Sequence, residues 1–233
     1  MTSEMTLDAL VERAEALAAS GGRRILGVVG APGGGKSTLA EALVRRLAPL
    51  ACHVPMDGFH LAGAELDRLG RRGRKGAPDT FDADGYVALL RRLRWASEDV
   101  VYAPEFRREI EEPIAGAIRV PRDVPLVVTE GNYLLLDDGP WAAVLGLLDE
   151  AWYVETDEDA RLELLVQRHI TSGKDPAAAR AWALGSDQRN AELVAATRHS
   201  ADLIVSIDLG SWPQHPSTGD RRQRHLAGST GLE

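Results

Sequence analysis

Gly30-Ala31-Pro32-Gly33-Gly34-Gly35-Lys36-Ser37-Thr38 is the stretch on which the reading of this chain turns. It fits G-x-x-x-x-G-K-[ST], the pattern of a phosphate-binding loop. Ahead of it, Ile25-Leu26-Gly27-Val28-Val29 is a short β-branched apolar run that predicts a buried strand. Behind it, residues 38–47 carry apolar side chains at helical spacing. Strand, glycine loop and helix are the context the pattern requires. The glycines let successive backbone N–H groups turn inward around phosphate oxygens, and the helix adds the positive end of its dipole. Lys36 then reaches the β- and γ-phosphates and Ser37 offers a hydroxyl to Mg²⁺. Of the 27 basic residues only Lys36, Lys75 and Lys174 are lysines, so arginine does the generic surface work and the loop lysine stands out. A compact ammonium suits a phosphate crowded by backbone amides better than a planar guanidinium does. The stretch implies a bound nucleoside triphosphate.

At 233 residues the chain predicts one α/β domain with room for a sizeable core. A hydrophobic share of 44% and a charged share of 27% are those of a globular protein in water. The net charge of −8 argues against nonspecific affinity for nucleic acid or anionic membrane. The single Cys52 excludes an intrachain disulfide and fits a reducing compartment. No apolar run approaches the ~20 residues of a membrane span. The N-terminus has neither the basic nor the apolar region of a signal peptide, so the cytoplasm is the expected location.

Along the chain, residues 6–19 predict an amphipathic helix with Leu7, Leu10, Val11, Ala14, Leu17 and Ala18 on one face. Residues 51–55 read as a strand running into Met56-Asp57-Gly58-Phe59-His60, and residues 62–69 and 82–97 as helices. Between those helices lies the basic, glycine-rich stretch 71–78. Residues 100–104 and 117–120 read as edge strands around an Arg- and Glu-rich connection. Further strands are expected at 126–130, 150–155 and 201–207, and a long helical region at 158–197, broken near 171–176. From Gly210 the composition is that of a flexible tail. The expectation is a three-layer α/β phosphate-loop NTPase fold. Its central sheet is mostly parallel, helices cover both faces, and a helical lid closes over ligands beyond the strand C-termini. The domain is expected over 1–209, its lid over 158–185 and the tail over 210–233.

A phosphate loop serves kinases, switch GTPases and mechanical ATPases alike. A GTPase should carry N-K-x-D late in the chain, and neither Lys75 nor Lys174 follows an Asn. A mechanical ATPase usually ends an apolar strand in adjacent Asp-Glu, whereas here the strand ends Val128-Thr129-Glu130-Gly131. Both absences favour a kinase. Pro55-Met56-Asp57-Gly58-Phe59-His60, Lys75-Gly76-Ala77-Pro78-Asp79-Thr80-Phe81-Asp82 and Glu130-Gly131-Asn132-Tyr133 follow in an order that resembles the phosphate-loop kinases typified by uridine kinase, type I pantothenate kinase and phosphoribulokinase. The resemblance runs from about residue 23 to 207. It implies ATP and Mg²⁺ as cofactors, a small-molecule hydroxyl acceptor, and the dimers and tetramers that occur in this group.

Phosphoryl transfer to a hydroxyl needs a carboxylate on the acceptor side, cationic clamps on the phosphates, a metal, and exclusion of water. Asp57, beyond a strand end, can take or orient the acceptor proton, although Asp-Gly is also a common turn pair. Glu130 ends a buried strand where an unpaired carboxylate is costly, a cost that metal or Lys36 would relieve. A capping or turn role is the alternative. Asn132 and Tyr133 are candidates to line the acceptor pocket, with core packing equally open for the tyrosine; His60 is a further candidate. Asp79 and Asp82 suit ordinary helix capping. Arg161 and Arg168, seven residues apart, share a helix face. The resemblance implies that they cover the transferring phosphate, the alternative being a solvated face. Arg107, with Arg108, is a candidate for the acceptor because the group uses an arginine after a Pro-aromatic segment. No His/Cys spacing makes a zinc site. The resemblance covers nucleoside, pantothenate-like and sugar acceptors; a sugar kinase specifically, or a non-catalytic nucleotide-binding module, are the alternatives.

Overall fold

The apolar runs at 25–30, 126–131 and 151–154 lack the period-two alternation of a half-wetted sheet, so their strands must be covered on both faces. The computed structural model describes residues 5–206. In chain order it contains α1 (Leu7–Ala19), β1 (Arg24–Gly30), α2 (Lys36–Leu47), β2 (Ala51–Pro55), α3 (Gly63–Arg68), α4 (Ala83–Trp95), β3 (Val100–Arg107), β4 (Glu112–Pro121), β5 (Leu126–Gly131), β6 (Glu150–Glu155), α5 (Glu158–Thr171), α6 (Pro176–Trp182), α7 (Gln188–Ala196) and β7 (Leu203–Ser206). The expected tail, 210–233, lies outside the described residues.

Five strands form one parallel sheet in the order β2-β5-β1-β6-β7. Alternation along β1 sends Leu26 and Val28 to one face, where Leu10, Ala14, Leu39 and Leu43 of α1 and α2 cover them. Ile25 and Val29 go to the other face, against Tyr86, Leu90 and Leu93 of α4 and Val194 of α7. Each such fully buried leucine contributes about 2 kcal/mol by its removal from water. Three layers result. The register sets Glu130 beside both Val28 and Pro55, so the C-terminal ends of β1, β2 and β5 finish level.

One polar chain crosses this core. The Thr129 hydroxyl donates to the Val54 carbonyl at 2.6 Å and accepts from Tyr86 Oη at 2.6 Å, locking α4 to β5 and β2 beneath Glu130. Burial raises the Tyr86 phenol well above its usual range, so it remains a donor.

The structure corrects the expectation for residues 100–120. These strands do not extend the sheet; β3 and β4 pair only with each other, antiparallel, as a separate hairpin. Val101 and Ala103 are buried while Tyr102 is exposed, the pattern of a ribbon covered on one side. Pro104 has no N–H to give to a ladder, and the register shifts there. Buried Arg23 anchors the hairpin by donating to the carbonyls of Val124, Leu93 and Pro121. The helical region also differs: between α6 and α7 the backbone widens into a π turn over Ala183–Asp187. Among the described residues no helix is long and apolar enough to cross a membrane.

Candidate active site

The loop between β1 and α2 turns on glycine. Gly33 and Gly35 have φ of 81° and 83°, a region that side chains with a Cβ rarely enter. Gly35 caps α2 and offers no side chain, so the first N–H groups of the helix, around Lys36, Ser37 and Thr38, keep their donors for a ligand. Two side chains hold the loop from behind. Thr156 Oγ1 donates to the Gly34 carbonyl at 2.8 Å, and Arg161 Nη1 donates to the Pro32 carbonyl at 2.9 Å. A trans peptide sets C=O and N–H on opposite sides, so both bonds turn the next N–H, of Gly35 and Gly33, the other way.

Arg161 therefore departs from the expected place over the phosphate. Its side chain is 2% exposed, and besides Pro32 it binds both Glu158 oxygens and, at 2.6 Å, Gln188 Oε1. Buried this way, its guanidinium is fully committed to protein partners. Beside it a cleft of about 310 Å³ is lined by Ala31, Tyr153, Val154, Ala191, Glu155 and Arg198 among others.

On the open side, charges gather from distant parts of the chain. Lys36 begins α2 and Glu130 ends β5; Asp57 lies in a short 3₁₀ turn after β2. Arg108 follows β3, and Arg168 sits in the last turn of α5. Ser37 Oγ donates to Glu130 Oε1 at 3.1 Å. Burial pushes the Glu130 carboxyl up to about 7; the Asp57 charge adds to this, while Lys36, the Ser37 hydroxyl and Arg108 oppose it. Burial also lowers the Lys36 ammonium, against the pull of Glu130 and Asp57. For Asp57, burial favours the acid form, but His60, Arg108, Lys36 and Arg168 together hold it below the usual carboxylate range. Arg108 Nη2 stands 3.7 Å from Asp57 Oδ2 and its side chain is 54% exposed, so that pair is weak in water. Burial and Arg108 bear on Arg168, which still keeps its charge as arginine does.

The residues expected around the acceptor divide. The His60 ring donates from Nδ1 to the Asp57 carbonyl at 2.8 Å and lies between Phe81 and Phe106, with ring centres 4.0 and 4.7 Å away. Burial lowers its pKa, leaving Nε2 an unprotonated acceptor at neutral pH. Asn132 follows Glu130 by two residues, and its Oδ1 is buried without a partner. Tyr133 takes the core-packing alternative rather than lining an acceptor pocket: it is 1% exposed, packs on Phe81 and Trp141, and donates its hydroxyl to the Gly76 carbonyl. Arg107, the last residue of β3, turns away and pairs with Glu105 at 2.6 Å. Its neighbour Arg108, in the turn that follows β3, takes the place beside Asp57. Gly58 explains itself by packing rather than by turn chemistry, since a Cβ there would overlap the Pro104 carbonyl of the hairpin. In the basic stretch Arg71 and Arg74 pair with Asp79, and Arg72 with Asp67.

Thr156 and Gln188 escaped the sequence reading. A threonine just after a strand that neighbours a phosphate loop is the signal that could have found the first; nothing local marks the second.

A parallel sheet in this order, whose central strand feeds an uncapped helix through a glycine loop, is the phosphate-loop nucleotide-binding fold. No family model matches the chain. A Schizosaccharomyces pombe protein provisionally named a uridine kinase is 34% identical over 175 residues, which is 71% of this chain and 74% of that protein. An ATP-dependent kinase-like protein of Aspergillus versicolor is 35% identical over 166 residues, 67% of this chain and 95% of that one. The crystal structure of a Silicibacter sp. TM1040 protein, provisionally a fructose transport system kinase, has a TM-score of 0.76 at 39% identity, covering 86% of this chain and 98% of the other. The chain belongs to the ATP-dependent phosphate-loop kinases of the uridine kinase and pantothenate kinase group.

Proposed function

We propose that the chain transfers the γ-phosphoryl group of Mg-ATP to a hydroxyl of a small metabolite: a nucleoside, a pantothenate-like compound or a sugar. The observation that carries this is the gathering of Lys36, Arg168 and Asp57, each within reach of the others' charge, beyond the ends of β1 and β2. Lys36 and the loop hold the donor phosphates, and Arg168, from a lid over 158–185, covers the group in transit. The cleft beside Arg161 takes the nucleoside part of ATP, its apolar lining of Tyr153, Val154 and Ala191 suiting a base. Asp57, ionised because cations surround it, accepts the hydroxyl proton as the oxygen attacks phosphorus. Neutral His60 and Asn132 Oδ1 offer acceptors to the remaining hydroxyls of the substrate. Phe81 and Phe106 keep water away from that side.

Ser37 Oγ and Glu130 fit Mg²⁺, which takes hard oxygen donors from one or two side chains and completes its shell with phosphate and water. When bound, the metal would neutralise charge on the phosphate oxygens. Acceptor-dependent ADP formation across nucleosides, pantothenate, sugars and sugar phosphates tests the proposal. Uridine and fructose head that panel because of the names of the relatives. ATP binding with no ADP formation from any acceptor would overturn it in favour of a binding module.

A further inference from the structure

The helical run from Pro176 to Ala196 holds the π turn at Ala183–Asp187. A π turn takes one more residue than an α turn, so it brings inward residues that unbroken α geometry would aim elsewhere. Ser186, Asp187 and Asn190 are all buried, at 7%, 7% and 6% exposure. A buried carboxylate needs a partner. Asp187 Oδ2 accepts from His169 Nε2 at 2.7 Å, and the edge of Trp182 packs on the same imidazole. His169 is the residue after Arg168 in α5, and Asp187 faces the Arg168 charge as well. Among the described residues the Arg168 guanidinium makes no hydrogen bond.

We propose that Asp187 is a positioning residue: by binding His169 it fixes the rotation of the last turn of α5 and so the direction in which Arg168 extends. The proposal rests on the reading of Arg168 as a clamp on the terminal phosphate. A hydrogen-bonded carboxylate, unlike an apolar contact, sets rotation as well as distance, which is what a long unpinned guanidinium requires. α7, which continues from the π turn, reaches the acceptor side, where Asn190 Nδ2 donates to the Gly76 carbonyl that also accepts from Tyr133. Pinning Asp187 therefore relates the arginine to the loop around the acceptor.

The test needs no acceptor. The affinities of ATP and ADP, measured by calorimetry with Mg²⁺, give the preference for the terminal phosphate. Arg168→Gln should reduce that preference by about tenfold, which is 1.4 kcal/mol. Asp187→Leu and His169→Leu should reduce it by about fivefold or more, while His169→Gln, which retains a donor near the Nε2 position, should keep most of it. Arg168→Gln combined with Asp187→Leu should lose no more than Arg168→Gln alone. Wild-type preference in folded Asp187→Leu or His169→Leu, or strictly additive losses in the double variant, would overturn the positioning role. If Asp187→Leu fails to fold, the contrast between the two His169 variants decides. Unchanged preference in Arg168→Gln would sink both the clamp and the positioning claim. Absence of acceptor-dependent ADP formation in the wild type counts against the kinase reading alone.

Discussion

The two halves of the site are built differently. The donor half is nine consecutive residues, 30–38, braced from behind by Thr156 and Arg161. The proposed acceptor half collects Asp57, His60, Phe81, Phe106, Arg108 and Asn132 from four separate stretches, and the docking of a hairpin on a 3₁₀ turn brings them together. A local motif fixes its own shape, whereas a composite pocket depends on long-range packing. The donor chemistry can then stay constant while the hairpin and the 71–81 stretch change the acceptor.

Four changes would break or sharpen that contrast. Asp57→Asn should lower acceptor-dependent kcat by about 10³-fold and leave ATP affinity within about threefold, measured by steady-state kinetics and calorimetry. Near-normal turnover would remove Asp57 from the chemistry. Gly58→Ala drives a methyl group into the Pro104 carbonyl, so the hairpin must shift. It should raise acceptor KM by about 10- to 100-fold and lower thermal stability by about 1–3 kcal/mol, with ATP affinity unmoved. Equal damage to ATP binding would show that the halves are not separable.

Glu130 supplies the pH dependence. Its carboxyl titrates near 7 in the folded protein against 4.5 as a free side chain, so the folded state holds the proton between those values. The stability it contributes to the metal-free protein is complete below pH 4.5 and lost as pH rises through 7. Against Glu130→Gln, unfolding experiments should show a decline of at most about 3 kcal/mol over that interval. A divalent ion needs the carboxylate, so Mg-ATP affinity should rise about tenfold from pH 6 to pH 8 and the variant should lose that rise. The smallest effect belongs to Thr156→Val, which removes one hydrogen bond to the loop. ATP affinity should fall by about fivefold, near 1 kcal/mol, with acceptor KM unchanged.

Legibility in the sequence follows the same division. The loop and its flanking strand and helix read directly because their meaning is local. The strand ends bearing Asp57 and Glu130 were legible for the same reason. Arg161 was not: its seven-residue spacing to Arg168 set them on one helix face, but spacing says nothing of what that face meets near its start. Arg107 and Arg108 are a one-residue choice that depends on where β3 ends. Tyr133 went to the core because Phe81 and Trp141, remote in sequence, formed its pocket. The hairpin was misread because its Arg- and Glu-rich connection hides a continuation of both strands.

Arg161 gives α5 a fixed end. Seven residues at 1.5 Å each separate it from Arg168, a lever of roughly 10 Å. A swing of about 10° around that anchored end would carry the Arg168 backbone by roughly 2 Å, about the difference between a salt bridge and a gap. With Arg168 as the proposed clamp, the helix would sweep its far arginine over a phosphate without disturbing the cradle, because its axle is bolted to the back of the loop.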